Sequence, residues 1–408
     1  MNKIIRNIFI IIVILIFLTA FSPSYTSLNI DNLAYVIALG IDKGEASKFK
    51  ISFQFTTGSS SSESGSGGEK SPLIVNSVEA DSINSAINLM NAYMARQLNM
   101  SHCRLIIFSE EVASTGIANE IYTLANNNEI RSSANIIVSK NDAKDYIENS
   151  KPILENLITK YYEIFPGSSK YTGYVYDATL GLFFNNLISE TCEPFAILGG
   201  INDNTTSGDT SSKDFNIADI KSTDTSFSAQ RGSENIGVAV FKKDKLVGEL
   251  SALETLCLSI IRQEVESFLI TIDDPQNQDE TIDLMLYMQK GNNIDVDIVN
   301  NTPYIKIDLK FTGRIYSMKE NSKYLNSESL NDISNTANLY LENILTDYLY
   351  KTSTEFRSDI NDIGKYCLSN FLTIDEFNEF DWEESYKNSS FKVSVDTNIE
   401  SSSLLTET

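Results

Sequence analysis

With 408 residues, 42% of them hydrophobic, the chain is long enough for two or three packed domains and too apolar to stay disordered. Its 32 basic residues against 55 acidic ones leave a net charge of −23, which opposes binding to nucleic-acid phosphates and anionic headgroups and favours neutral, cationic or protein partners. A single histidine and four dispersed cysteines (Cys103, Cys192, Cys257, Cys367), none in a C-x-x-C pair, speak against a transition-metal site.

Lys3 and Arg6 precede an apolar run from Ile8 to Leu18 that continues through Phe21. Such a run spans about 21 Å as a helix, short of the roughly 30 Å of a bilayer core. Residues 1–24 therefore read as an export signal, with the rest of the chain outside the cytoplasm. Next come Leu33–Ile41, apolar and uncharged, and Lys48–Phe55, where Phe49, Ile51, Phe53 and Phe55 alternate with polar residues. These predict a hairpin with one buried and one half-buried strand. Residues 56–71 are a Ser/Gly spacer. A strand is predicted over 73–80, then a helix over 81–98 with Ile83, Ala86, Ile87, Met90 and Met94 on one face. Arg104–Phe108 and Ala134–Val138 read as strands, each followed by a helix, so helices pack on a sheet.

Residues 150–200 read as helical and then as loop, and 202–235 are polar and rich in Ser, Thr and Asp. The main boundary is placed there. A strand pair follows around Lys242, Lys243, Asp244 and Lys245, then strands near 266–272, 281–289, 293–299 and 303–318. Ile333, Ala337, Leu341, Ile344, Leu345 and Tyr348 predict a long helix over about 328–355, and the alternating tail 391–400 predicts a closing strand. The fold class is α+β with mixed α/β layers, and the long amphipathic helix packs on a C-terminal sheet. The predicted divisions are 1–24 (signal or anchor), 28–200 (an N-terminal α/β region of one or two domains), 201–235 (polar linker) and 236–400 (C-terminal α+β domain).

No motif carries chemistry. His102 and Cys103 are neighbours whose side chains diverge in extended chain, with no second histidine to complete a dyad. They read as a helix end and a small core residue. Asp273-Asp274 and the acidic stretch 379–385 lack the ligand rhythm of a calcium loop and read as solvated loops. Trp382 reads as core. Neither G-x-x-x-x-G-K-[ST] nor G-x-S-x-G occurs. No catalytic, cofactor or metal residue is assigned. An exported multi-domain chain of this kind reads as a binding or assembly component.

"DNLAYVIALGIDK", "QLNMSHCRLIIFSEEVASTGI", "NEIRSSANIIVSKNDAKDYI", "IGVAVFKKDKLVGELSALET" and "DINDIG" follow one another in an order that resembles the C subunit of spore germinant receptors, the GerC-type lipoproteins, over about 28–400. The resemblance implies a three-domain architecture, no enzymatic activity and no cofactor. It implies membrane A and B subunits as partners at the outer face of the spore inner membrane, in nutrient-triggered germination. The family's lipidated cysteine should fall at Ser24, which cannot form the thioether. Pro23 disfavours cleavage after Ser22, so the leader is expected to remain as an uncleaved anchor. At "DINDIG" the family tends to be Phe/Gly-rich, and Gly364 reads as a backbone turn. The first hairpin (Asp42, Lys43) and the 235–250 strand pair (Lys242, Lys243, Lys245) are the candidate docking surface. Two other classes stand beside this reading, an extracytoplasmic solute- or glycan-binding protein and a secreted hydrolase with paired carboxylates.

Overall fold

The computed structural model describes residues 6–8, 13, 32–56, 73–151, 157–202, 220–223, 232–317 and 327–400. The leader apart from 6–8 and 13, Ser24, most of the Ser/Gly spacer and most of the polar segment lie outside the described residues. Among the described residues no helix is long and apolar enough to cross a membrane.

The N-terminal elements are β1 (Leu33–Lys43), β2 (Phe49–Thr56), β3 (Leu73–Ala80), α1 (Ile83–Tyr93), β4 (Gln97–Asn99), β5 (Leu105–Ser109), α2 (Glu110–Thr115) and α3 (Ala118–Ala125). They continue as β6 (Asn135–Ser139), α4 (Ala143–Asn149), α5 (Ile158–Ile164), α6 (Leu180–Leu187), β7 (Phe195–Ile201), β8 (Ser233–Lys242), β9 (Lys245–Leu250) and α7 (Ala252–Ile261). Together the strands form one nine-stranded sheet in the order β3-β2-β1-β5-β6-β7-β8-β9, with β4 beside the start of β1. The central strands β1, β5, β6 and β7 are parallel, and antiparallel pairs flank them on both sides. β5 and β6 are buried at every position, as parallel strands covered on both faces must be.

Alternate residues feed two cores. Ile106 and Phe108 face a cluster built with Ile83, Ala86 and Met90 of α1, Val112 and Ala113 of α2, Ile121 and Leu124 of α3, and Leu180 and Phe183 of α6. Leu105 and Ile107 face the other way, toward Ile147 of α4, Tyr162 of α5 and α7.

Several local expectations change. The single helix expected after β5 is two, because Gly116 adopts φ 105 between α2 and α3. The helix expected over 81–98 stops at Tyr93, and Gln97–Asn99 pairs with Leu33–Tyr35 as β4. Phe195–Ile201, read as loop, is β7, held between β6 and β8. β2 is buried on both faces, because Ser52 Oγ meets Ser77 Oγ at 2.8 Å and Gln54 Oε1 accepts from Tyr162 Oη at 2.9 Å.

The second sheet holds β10 (Ser267–Asp274), β11 (Asn277–Met288), β12 (Asn293–Val299), β13 (Thr302–Ser317) and β14 (Ser390–Glu400). One edge of β13 takes β12 along its first half and β11 along its second, and the other edge takes β14 in parallel. Alternate residues of β10 are buried, as in a sheet with one wet face. The long helix α8 (Ser327–Tyr350) packs on this sheet through Ile333, Ala337, Leu341, Leu345 and Tyr348. It also closes the sheet edge: Val395 N donates to Glu342 Oε1 and Thr397 N to Asn338 Oδ1, each at 2.9 Å. Covering an edge in this way removes a template for intermolecular pairing.

Two sheet-centred units are present where three domains were expected. The helices of 158–187 pack against the sheets instead of organising a third body, and β8 and β9 join the first sheet across β7. α7 lies between the units. A capping box, Ser251 N to Glu254 Oε2 at 2.8 Å and Glu254 N to Ser251 Oγ at 3.3 Å, starts it. Leu256, Leu258, Ile260 and Ile261 are all buried, and one continuous core runs from Ile107 of β5 through α7 to Phe268, Phe311 and α8.

Candidate functional site

The chain after α8 departs from regular helix. Lys351–Phe356 forms a π-helical turn and Arg357 adopts φ 52, which ends it. The "DINDIG" segment follows, leading into α9 (Gly364–Cys367), α10 (Ile374–Phe380) and α11 (Trp382–Tyr386). Asp359 folds inward. Its carboxylate accepts from Asn361 N at 3.1 Å, Ile363 N at 3.2 Å, Gly364 N at 2.8 Å and Trp382 Nε1 at 3.0 Å. Burial pushes its carboxyl up to about 6, against those donors.

This knot ties the units together. Ser358 Oγ donates to the carbonyl of Phe241 in β8 at 2.6 Å, and Glu193 N donates to the carbonyl of Asp359 at 2.9 Å. Arg262, at the end of α7, donates from Nη1 to the Ile360 carbonyl at 3.0 Å and from Nε to Tyr176 Oη at 2.8 Å. Behind it, Tyr348 Oη donates to Asn361 Oδ1 at 2.7 Å, and Thr352 Oγ1 lies 2.8 Å from Tyr386 Oη. Gly364 has no left-handed φ; it is needed for closeness. A Cβ there would sit 2.5 Å from the Thr191 carbonyl oxygen and 2.7 Å from Trp382 Nε1. The turn read for Gly364 is thus a close approach of backbone to indole.

Beside the knot, Glu193 is only 6% exposed. Its Oε2 accepts from Lys243 N at 2.6 Å, whereas Oε1 has no partner among the described residues. Burial, with the charge of Glu383, pushes this carboxyl up to about 7 against the Lys243 amide. Lys243 adopts φ 56, and Gln263, Arg357, Asp362 and Asp381 are left-handed around the same place. Concentrated strain of this kind persists where surrounding structure over-determines it.

The spore germination protein N-terminal domain model matches residues 26–198, and the model for the spore germination B3/GerAC-like C-terminal region matches 236–403. The chain belongs to this GerAC-like germination family. The Bacillus subtilis (strain 168) protein YfkR is 28% identical over 123 residues, 29% of this chain and 32% of that protein. Spore germination protein KC of the same organism is 25% identical over 130 residues, 31% of this chain and 32% of that one. The chain thus spans about a third of the length of these curated relatives. The crystal structure of the GerBC protein superposes with a TM-score of 0.51 at 16% identity, covering 88% of this chain and 96% of that one, and shows the same fold. The GerAC-like family is one of spore germination proteins.

The residues singled out from sequence fall in different places. Asp42 is only 4% exposed and caps α4, accepting from Ala143 N at 2.6 Å and Lys144 N at 3.1 Å. Lys43 beside it pairs with Glu111 at the start of α2. Lys242, Lys243 and Lys245 lie at the opposite end of the first sheet, where Asp244 meets Ile117 just beyond the end of α2. The two groups are therefore not one surface. Lys242 donates to the Arg357 carbonyl at 3.0 Å, and Lys243 Nζ lies 3.4 Å from Glu383, so both belong to the knot. His102 sits in a turn after β4, not at a helix end, with its ring 4.5 Å from that of Tyr35. Cys103 is buried and donates to the Leu105 carbonyl. All four cysteines are free and buried. Arg262 and Glu193 escaped sequence reading. An arginine directly after a largely apolar helix is the one signal that pointed to the former.

Proposed function

We propose that the chain is an outward-facing, non-enzymatic subunit of a spore germinant receptor, working by docking to the membrane A and B subunits in nutrient-triggered germination. The observation that carries this reading is the match of both family models, in order, to the two halves of one chain. The fold supports it: a single core running through both sheets gives a rigid body, suited to presenting fixed surfaces.

Anchoring follows from the leader. Ser24 offers no thiol for a lipid, so the apolar run Ile8–Phe21 serves as an uncleaved anchor at the outer face of the spore inner membrane. Confinement to the membrane plane raises the concentration of the body seen by its partners. Deleting the gene in a strain with no redundant receptor, and following loss of spore refractility after nutrient addition, tests the reading. Loss of the response, restored by the full chain, is expected; an unchanged response would contradict it.

A further inference from the structure

A groove of about 390 Å³ opens over Trp382, between Glu190, Lys243, Asp381, Glu383 and Glu384. At its base a hollow of about 10 Å³ reaches Glu193, Arg357 and Asp359, and shares Glu190, Trp382 and Glu383 with the groove. Carboxylates outnumber cations here, as Lys243 and Arg357 are the cationic side chains among the lining residues. The second observation is Glu193 itself. It is a nine-tenths-buried carboxylate lining the hollow, and its Oε1 has no hydrogen-bond partner among the described residues. An orphaned buried oxygen is costly and calls for a donor.

We propose that this groove is a docking site for a lysine-bearing segment of a partner protein, with one lysine ammonium entering the hollow to meet Glu193 Oε1. The hollow has room for one donor atom, which suits a compact ammonium and not a planar guanidinium. The walls carry charge to guide it. Among the described residues Glu190 and Asp381 form no ion pair, in a chain of net charge −23, while Glu383 is shared with Lys243 and Glu384 with Lys387. The groups facing Glu193 are Lys243 and Lys242 from the β8–β9 turn, Glu383 from α11, and Asp359 and Arg357 from the knot. An arriving ammonium favours the ionised carboxylate, so binding strengthens as pH rises from 6 to 8.

This inference rests on the docking reading, and the two fail separately: a null titration leaves the deletion phenotype untouched, and a missing phenotype leaves the titration standing. The probe is pentalysine, titrated at low salt into the full chain in detergent, with fluorescence of Trp382, the only tryptophan, as readout. A saturable change is expected, weakened at least tenfold in Glu193→Gln, which keeps an acceptor for the Lys243 amide. Asp279→Asn, the same charge change on the remote β11 strand, should leave it unaltered. Lys243→Gly suits the left-handed backbone and removes the competing ammonium, so it should tighten binding several-fold. Equal affinity in Glu193→Gln, no tightening in Lys243→Gly, pentaarginine bound as tightly as pentalysine, or no fluorescence response would each overturn the proposal.

Discussion

Gly364→Ala sets helix propensity against the knot. Gly364 opens α9 with ordinary backbone angles, so propensity alone predicts that alanine stabilises by up to about 1 kcal/mol. The surroundings predict the reverse. The new Cβ would lie 2.5 Å from the Thr191 carbonyl oxygen and 2.7 Å from Trp382 Nε1, both closer than side-chain carbons approach. Neither neighbour can withdraw cheaply. Thr191 is tied by its amide to Ser189 Oγ at 3.1 Å, and Trp382 is buried. Overpacking of this kind costs roughly 1–3 kcal/mol. Pushing the indole from Asp359 adds about 1–3 kcal/mol for a buried carboxylate losing a donor. After subtracting the propensity gain, a net loss of about 1–5 kcal/mol is expected. Urea unfolding followed by Trp382 fluorescence measures it in the protein itself. A variant as stable as the parent would refute the argument that Gly364 is present for closeness.

Stability should also depend on pH through the raised carboxyls. Glu193 and Asp359 hold protons in the folded state up to about 7 and about 6, against ordinary values of 4.5 and 3.8. Their contribution is therefore full below pH 4 and is lost as pH rises through 6 and 7. Glu193→Gln should flatten the stability difference between pH 5 and pH 8 by roughly 2–3 kcal/mol, measured by urea midpoints at each pH; an unchanged difference would rule out this assignment. Removing the edge caps with Asn338→Ala plus Glu342→Ala should cost about 1 kcal/mol per lost bond and promote self-association, which light scattering would detect. The four thiols, all buried and free, should resist a thiol reagent in the native protein and all react in denaturant. Fast native labelling of any one would contradict its placement. Finally, the chain should stay with the membrane fraction after a high-salt wash with a mass that includes residues 1–20; recovery as a soluble, shortened chain would remove the anchor.

Much of the fold was legible because it is written in local periodicity. The alternation in β10 to β14 and the helical spacing of Ile333 to Tyr348 needed only side-chain direction. What escaped was decided at long range. β7 carries glycines and follows a loop, and only β6 and β8 on either side make it a strand. Polar composition set 202–235 apart, but composition cannot say that Ser233–Lys242 pairs with β7 in the sheet the chain left. The site divides the same way. Gly364, Trp382 and Lys243 stood out singly, while their convergence with Glu193 and Arg262 joins residues up to 189 positions apart (Glu193 to Trp382) and leaves no local pattern.

The docking account meets its most direct test when the full chain, tagged at its C terminus, is purified from detergent-solubilised spore membranes. It predicts that the two membrane subunits of a germinant receptor come down with the chain and are lost from the control lacking the tag. Recovery of the chain alone, from membranes that contain both subunits, would contradict it.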